Sequence, residues 1–288
     1  MEIKKITVIG AGIMGSGITQ VCAQAGFDVA MKDIKDEFIE RGLKGINKNV
    51  GRQVQKGKIS QEVMDEILGK IQATTDLKEA VKDTSIVIEA ATENMEIKKA
   101  IFKELEEVCD EEVIFASNTT ALSIGEMGSV TKRPDKVIGM HFFNPAPVMR
   151  LIEVIRAIDT SDDTFDTVYK LSEKLGKRPI GLKESAGFIV TRIFAVMINE
   201  ALYTLMEGVA SPEEIDQAMK LGVNLPMGPL ETLDMMGLDV GVSTLETLQR
   251  EFGDPKYRPC PLLRQYARAG RLGIKTGKGI YDYSKKGR

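Results

Sequence analysis

The feature that most constrains this chain is Gly10-Ala11-Gly12-Ile13-Met14-Gly15, which follows the β-branched run Ile6-Thr7-Val8-Ile9 and leads into a helical pattern through Ser16 to Ala25. Alone, G-x-G-x-x-G recurs by chance; between a strand and a helix at the start of a chain it describes the first turn of a βαβ unit. There Gly10 makes the tight turn, Gly12 clears space for phosphate, and Gly15 lets helix and strand pack closely. The amides at the helix start, from Ile13 and Met14 onward, can cradle a pyrophosphate. A second run, Asp28 to Met31, leads to Asp33, 21 residues after Gly12. A carboxylate there accepts hydrogen bonds from an adenosine ribose and repels a 2′-phosphate. The expected cofactor is therefore NAD, with Lys32 and Lys35 leaving some tolerance for NADP. FAD is disfavoured, because no second nucleotide-like motif and no flavin-covering domain is evident.

Further short apolar runs, Ile86 to Glu89, Val113 to Ala116 and Val137 to Met140, alternate with longer helical patterns. Such strands belong at the centre of a parallel sheet covered on both faces, so the expected fold class is α/β with a Rossmann-type doubly wound sheet. Between the second and third runs, Asp36 to Lys56 reads as a long helix with an apolar stripe at Ile39, Leu43, Ile46, Val50 and Val54. Ser60-Gln61-Glu62 opens a second helix that ends near Lys70, with Val63, Met64, Ile67 and Leu68 as its matching face. The two predict a helical hairpin over about 36–70 that projects from the sheet domain. Lys44, Lys48, Arg52 and Lys56 align four cations along one side of it, which by itself describes a solvated face.

Leu151 to Ile155 and Arg178 to Leu182 read as two more strands, with a helix over Asp162 to Leu175 between them. Past Ala186-Gly187 the character changes. Ile189 to Met206 is densely apolar and predicts a helix buried on nearly all sides. Ser211-Pro212-Glu213-Glu214 is a helix start with Ser at the N-cap and Pro in the first turn. Further helices are expected at Leu230 to Met236, Leu238 to Phe252 and Leu262 to Ala269. The chain thus divides into a nucleotide-binding domain over 1–184 and an all-α domain over 185–288.

With 288 residues, 43% apolar and 28% charged, the chain has ample material for two cores. A net charge of −3 provides no general field for nucleic acid. No apolar stretch is long enough to span a membrane, and the start has no signal-peptide pattern. Cys22, Cys109 and Cys260 are too widely spaced for a disulfide framework or metal cluster, so the expected setting is cytoplasmic and no metal is expected.

His141 is the single histidine. It follows the run Val137 to Met140 and precedes Phe142-Phe143-Asn144-Pro145, which places it at the carboxyl end of a strand, where α/β sheets bind ligands. Glu153 opens the next strand after a proline-rich turn, so the chain can fold back and set its carboxylate beside the ring. A carboxylate there fixes the tautomer and orients the imidazole, which suits removal of a hydroxyl proton as hydride leaves. A satisfied core histidine and a solvated strand-end acid are the alternatives. Ser117-Asn118-Thr119-Thr120 closes the neighbouring strand at the same rim and reads equally well as a ligand-positioning group or as ordinary turn material.

Together these stretches resemble the short-chain 3-hydroxyacyl-CoA dehydrogenases, and within them the bacterial 3-hydroxybutyryl-CoA dehydrogenases. The shared blocks run the length of the chain: Val8 to Ile18, Val87-Ile88-Glu89-Ala90-Ala91, Ala116-Ser117-Asn118-Thr119, Gly139 to Pro145, Pro226-Met227-Gly228-Pro229 and Lys278-Gly279-Ile280-Tyr281. The resemblance implies NAD-dependent interconversion of (S)-3-hydroxyacyl-CoA and 3-oxoacyl-CoA, in butyrate formation or short-chain fatty-acid metabolism. It implies a homodimer formed through the C-terminal helical domain. It implies His141 as general acid/base, Glu153 as its partner, Asp33 as ribose ligand, and Glu93, Lys98 and Asn118 along the nicotinamide end of the cofactor. It also assigns Arg52 and Lys56 to the phosphates of CoA, which turns the cationic stripe from a solvated face into a substrate contact.

Two departures bear on the site. Thr120 stands where the family usually has the Ser that bonds the substrate oxygen, keeping the hydroxyl but restricting its rotamer. Thr191 stands where the family usually has an Asn toward the substrate carbonyl, exchanging an amide for a shorter hydroxyl. Activity is expected to survive both changes. The competing readings are a β-hydroxyacid dehydrogenase acting on a free acid, and a nucleotide-binding relative with an impaired site.

Overall fold

The structure, a computed structural model, describes residues 3–284. Among these, eight strands form one sheet: β1 (Lys5–Ile9), β2 (Asp28–Lys32), β3 (Ile71–Thr74), β4 (Ile86–Glu89), β5 (Ile114–Ser117), β6 (Val137–Phe142), β7 (Leu151–Arg156) and β8 (Arg178–Lys183). Their spatial order is β3-β2-β1-β4-β5-β6-β7-β8. Strands β1 to β6 pair in parallel, β7 runs antiparallel to β6, and β8 is parallel to β7. The order reverses between β1 and β4, the switch point at which a doubly wound sheet opens a crevice beyond its carboxyl ends.

Seven helices accompany the sheet: α1 (Ile13–Gln24), α2 (Asp36–Gln55), α3 (Gln61–Gly69), α4 (Leu77–Val81), α5 (Met95–Val108), α6 (Ile124–Gly128) and α7 (Asp162–Lys174). The central strands β4, β5 and β6 are buried at every position, as uninterrupted apolar runs require. Caps begin the helices where the sequence supplies them: Ser60 accepts from the Val63 amide at α3, Asn94 from Ile97 at α5, and Ser161 from Thr164 at α7.

Two features differ from expectation, and a third is filled in. The hairpin α2–α3 forms over the expected residues, and its inner face packs onto the sheet domain. Ile39, Ile46, Val50 and Ile67 share one core with β1, β2 and α1, and a Cβ on Gly42 would stand 2.8 Å from the Ala11 carbonyl oxygen. The expected apolar stripes hold the hairpin there, each fully buried aliphatic side chain contributing about 1.5–3 kcal/mol. Strand β3, unexpected from the sequence, is a four-residue edge strand whose central residues Gln72 and Ala73 are exposed, so it lacks the apolar signature of the inner strands. Strand β6 continues two residues beyond Met140, so His141 lies within the ladder and not after it.

The chain divides into two compact units, Met1–Ser185 and Ala186–Arg288. The second contains α8 (Val190–Met206), α9 (Pro212–Gly222), α10 (Pro229–Met236), α11 (Leu238–Phe252) and α12 (Pro261–Arg268). Ser211 and Glu214 form a reciprocal capping box at α9. Two buried carboxylates tie the unit together. Asp216 accepts from the amides of Leu230 and Glu231 and from the Tyr281 hydroxyl, and Asp234 accepts from the amides of Ile280 and Tyr281. Helix α8 does not meet the expectation of burial on nearly all sides: Ile198, Asn199, Ala201 and Leu202 are buried, while Ile193 is 67% exposed. Among the described residues no helix is long and apolar enough to cross a membrane.

Candidate active site

The turn from β1 to α1 is shaped by its glycines. Gly10 has φ +107°, a conformation L side chains rarely adopt, and its amide donates to the Lys32 carbonyl at 2.7 Å. A Cβ at Gly15 would lie 1.8 Å from the Gly10 carbonyl oxygen, so the helix can approach the turn only without one. Gly12 is different: a Cβ there would meet nothing within 4 Å. It is the N-cap of α1 and provides no side-chain cap, so the first amides of the helix face open space. Ile13 is exposed at the mouth, while Met14 packs back against the core. An open, uncapped helix start beside a glycine turn fits a pyrophosphate. Asp33, just past β2, accepts from the amides of Ala11 at 2.6 Å and Ile34 at 2.7 Å, which holds its carboxylate at the lip of the turn.

Across the switch point, the ends of β4 and β5 carry a buried ionic network. Glu89, the last residue of β4 and paired in register with Ser117 of β5, is fully buried. Lys98 of α5, 1% exposed, reaches both of its oxygens at 2.8 and 2.9 Å; the Ala91 amide and the Ser117 hydroxyl donate to it as well. The same ammonium lies 3.5 Å from Glu93. Glu93 Oε1 accepts from the Thr119 hydroxyl, the Thr120 amide and the Thr120 hydroxyl. Burial pushes the Glu93 carboxyl up, but Lys98 and these donors outweigh it and hold it below the usual carboxylate range. Asn118 accepts from the Phe142 amide at 2.8 Å, so its acceptor end is committed to β6 and its NH2 end is the donor it can offer.

His141 and Glu153 are directly opposed in the antiparallel β6–β7 ladder. Both are nearly fully buried, and Nδ1 lies 2.8 Å from Glu153 Oε2. A carboxylate accepts, so Nδ1–H donates to Glu153. The Phe143 ring, 4.4 Å away between centroids, lies against the imidazole.

The structure thus brings Gly10, Gly12, Gly15 and Asp33 together at one end of the crevice. Glu93, Lys98, Asn118 and Thr120 gather at the other. Thr191 lies in the first turn of α8, in the C-terminal unit. Arg52 and Lys56 occupy the exposed face of α2 with Lys44 and Lys48. Sequence reasoning missed the part played by Glu89, although an acid closing an otherwise apolar buried strand was a visible signal. Ser117 and Thr119 belonged to a recognised quartet, but their partners are Glu89 at the end of β4 and Glu93 in the segment before α5, and no local pattern announces them.

Residues 5–185 match the family profile described as 3-hydroxyacyl-CoA dehydrogenase, NAD binding domain, and residues 187–283 match that of the C-terminal domain. The chain belongs to the 3-hydroxyacyl-CoA dehydrogenase family. Within it, this chain is 50% identical over 286 residues to the probable 3-hydroxybutyryl-CoA dehydrogenase of Bacillus subtilis, covering 99% of each chain. It is 51% identical over 281 residues to the 3-hydroxybutyryl-CoA dehydrogenase of Clostridioides difficile, covering 98% of this chain and 100% of that one. The crystal structure of (S)-3-hydroxybutyryl-CoA dehydrogenase from Ralstonia eutropha matches with a TM-score of 0.95 at 48% identity, covering 99% of this chain and 100% of that one. The expected family, the Rossmann-type fold and NAD as the cofactor of this dehydrogenase family are therefore established.

Proposed function

We propose that this protein catalyses the NAD-dependent, reversible oxidation of (S)-3-hydroxyacyl-CoA to 3-oxoacyl-CoA, with 3-hydroxybutyryl-CoA and acetoacetyl-CoA as the short-chain pair. One observation carries the chemistry: the His141–Glu153 pair, 2.8 Å apart at the carboxyl end of β6. Its neighbouring strand ends in donors and its sheet opens with a phosphate-binding turn. When bound, NAD supplies the hydride acceptor.

The chain's own residues supply the rest. His141 Nε2 takes the proton from the C3 hydroxyl in oxidation and returns it in reduction, while Glu153 stabilises the imidazolium that forms between. The Thr120 hydroxyl bonds the substrate oxygen, Asn118 joins the nicotinamide end of the cofactor, and the family pattern assigns Thr191 to the substrate carbonyl. Gly10, Gly12, Ile13, Met14 and Gly15 hold the pyrophosphate through backbone amides, Asp33 holds the adenosine ribose, and Glu93 and Lys98 line the nicotinamide end. Arg52 and Lys56 meet the CoA phosphates from α2, where cations on an otherwise net-acidic chain give a local anion site. The exposed apolar residues of α8, Ile193 foremost, support a homodimer through the C-terminal domain. Three free thiols are in keeping with work in the cytoplasm.

The test is NADH consumption with acetoacetyl-CoA and with acetoacetate. Turnover of the thioester far above that of the free acid is expected. Equal use of both removes the CoA role of Arg52 and Lys56. Tight NADH binding without turnover of any short acyl-CoA overturns the proposal.

A further inference from the structure

Every hydrogen-bond partner found for the two carboxylates of the Glu89–Lys98–Glu93 cluster can act as a donor. Glu89 is met by the Lys98 ammonium on both oxygens, by the Ala91 amide and by the Ser117 hydroxyl. Glu93 is met by an amide, two hydroxyls and the same ammonium. The Ala91 and Thr120 amides and the Lys98 ammonium can only donate, and the hydroxyls are free to do so, which suits ionised oxygens at both acids. Both acids are therefore carboxylates, and Lys98, enclosed between them at 1% exposure, is an ammonium. Two negative charges against one positive leave the cluster at −1.

That charge is fixed in place. Glu89 and Lys98 are out of contact with solvent, so counterions screen them far less than they screen surface pairs. The cluster also sits at the carboxyl ends of β4 and β5, the mononucleotide half across the switch from Asp33. In a doubly wound sheet that half takes the nicotinamide end of the cofactor. The oxidised and reduced cofactors share their phosphates and riboses. They differ in charge only at the ring, which is cationic in NAD+ and neutral in NADH.

We propose that the Glu89–Lys98–Glu93 cluster, through its single net negative charge, makes this site favour NAD+ relative to NADH, with Glu89 acting as a positioning residue through Lys98. The inference rests on the assignment of this crevice to NAD and adds a function for Glu89, which reaches the ligand only through its neighbours. It divides the labour within the network: Glu89 and Lys98 set the buried charge, and Glu93 carries it to the surface beside Thr119 and Thr120.

The experiment compares dissociation constants for NAD+ and NADH by titration calorimetry at fixed ionic strength, in the wild-type protein and in Glu89→Gln, Glu93→Gln and Ser117→Ala. Each Gln variant keeps the side-chain shape and removes one negative charge. The ratio Kd(NAD+)/Kd(NADH) is expected to rise about threefold to tenfold in both, as one charge several ångströms away in a partly screened site would produce. Ser117→Ala removes a bond to Glu89 without changing charge, so it should move both constants together and leave the ratio alone. A purely structural network would move both constants together in every variant, and an unchanged ratio in the Gln variants overturns the inference. Glu93→Gln keeps the test decisive if Glu89→Gln fails to fold, because Glu93 reaches the surface. A wild-type protein that binds neither form overturns the NAD assignment itself.

Discussion

At the end of β1 the chain prepares for a ligand with backbone and empty space, whereas at the ends of β4, β5 and β6 it uses buried carboxylates, an ammonium and an imidazole. The turn is intolerant of volume: its glycines are needed because carbonyl oxygens occupy the places of two Cβ atoms. The far side is intolerant of charge loss, since Glu89, Lys98, His141 and Glu153 are held by their partners at almost complete burial. Both regions belong to one crevice, and the comparison teaches that binding and chemistry are separable in it. Shape at the turn should govern the affinity common to both forms of the dinucleotide, charge at the ends of β4 and β5 the preference between those forms, and the His141–Glu153 pair turnover.

The sharpest way to break that separation is His141→Ala. Losing the proton-transfer group should lower kcat for acetoacetyl-CoA by about 10²–10⁴-fold while NADH affinity, read by fluorescence titration, stays at the wild-type value. A variant with near-full turnover would remove the imidazole from the mechanism. Glu153→Gln should have the next largest effect. A hydrogen bond to a charged group contributes about 1.5–3 kcal/mol, so kcat should fall about 10–100-fold with NADH affinity again intact. Gly15→Ala tests the opposite region. Its Cβ would drive α1 away from the turn, costing about 1–3 kcal/mol in a urea melt and weakening NADH binding. A loss of kcat with unchanged KM for NADH would contradict the division of labour.

The smallest effect concerns Cys22, buried on α1 behind the turn. Burial pushes its thiol up to about 12, only partly offset by the Lys177 ammonium, against an ordinary value of 9.0. The folded protein thus keeps its proton where the unfolded chain loses it. Stability present below pH 9 should decline as pH rises toward 12, by about 1.4 kcal/mol per pH unit at most for this group. Urea melts at pH 8 and pH 10.5 read the decline, and Cys22→Ala should flatten it. The native thiol should also resist alkylation at pH 8.

Much of this was legible in the chain because the signals are local. The strand before Gly10, the Ser60 cap and the three-and-four spacing of Ile39, Ile46 and Val50 each involve neighbours within a few turns, and each appears where expected. The pairing of His141 with Glu153 was legible for a related reason, since a short turn between two apolar runs leaves few ways to fold back. What escaped depends on distant partners. Strand β3 is defined by pairing with β2, not by its own composition. The hairpin's seat on the sheet depends on Gly42 meeting Ala11. Glu89 gains its role only when Lys98 from α5 and Ser117 from β5 converge on it.

The dyad of His141 and Glu153 is a rung of a ladder, and this has a consequence for how such an enzyme can change. The rung is aligned by main-chain pairing from Gly139↔Ile155 to Phe142↔Ile152, so it is the ladder that sets the two side chains against each other. A slip of a single position in either strand would instead turn one partner to the opposite side of the sheet and abolish the couple at a stroke. Insertions and deletions within either strand should be purged from this lineage.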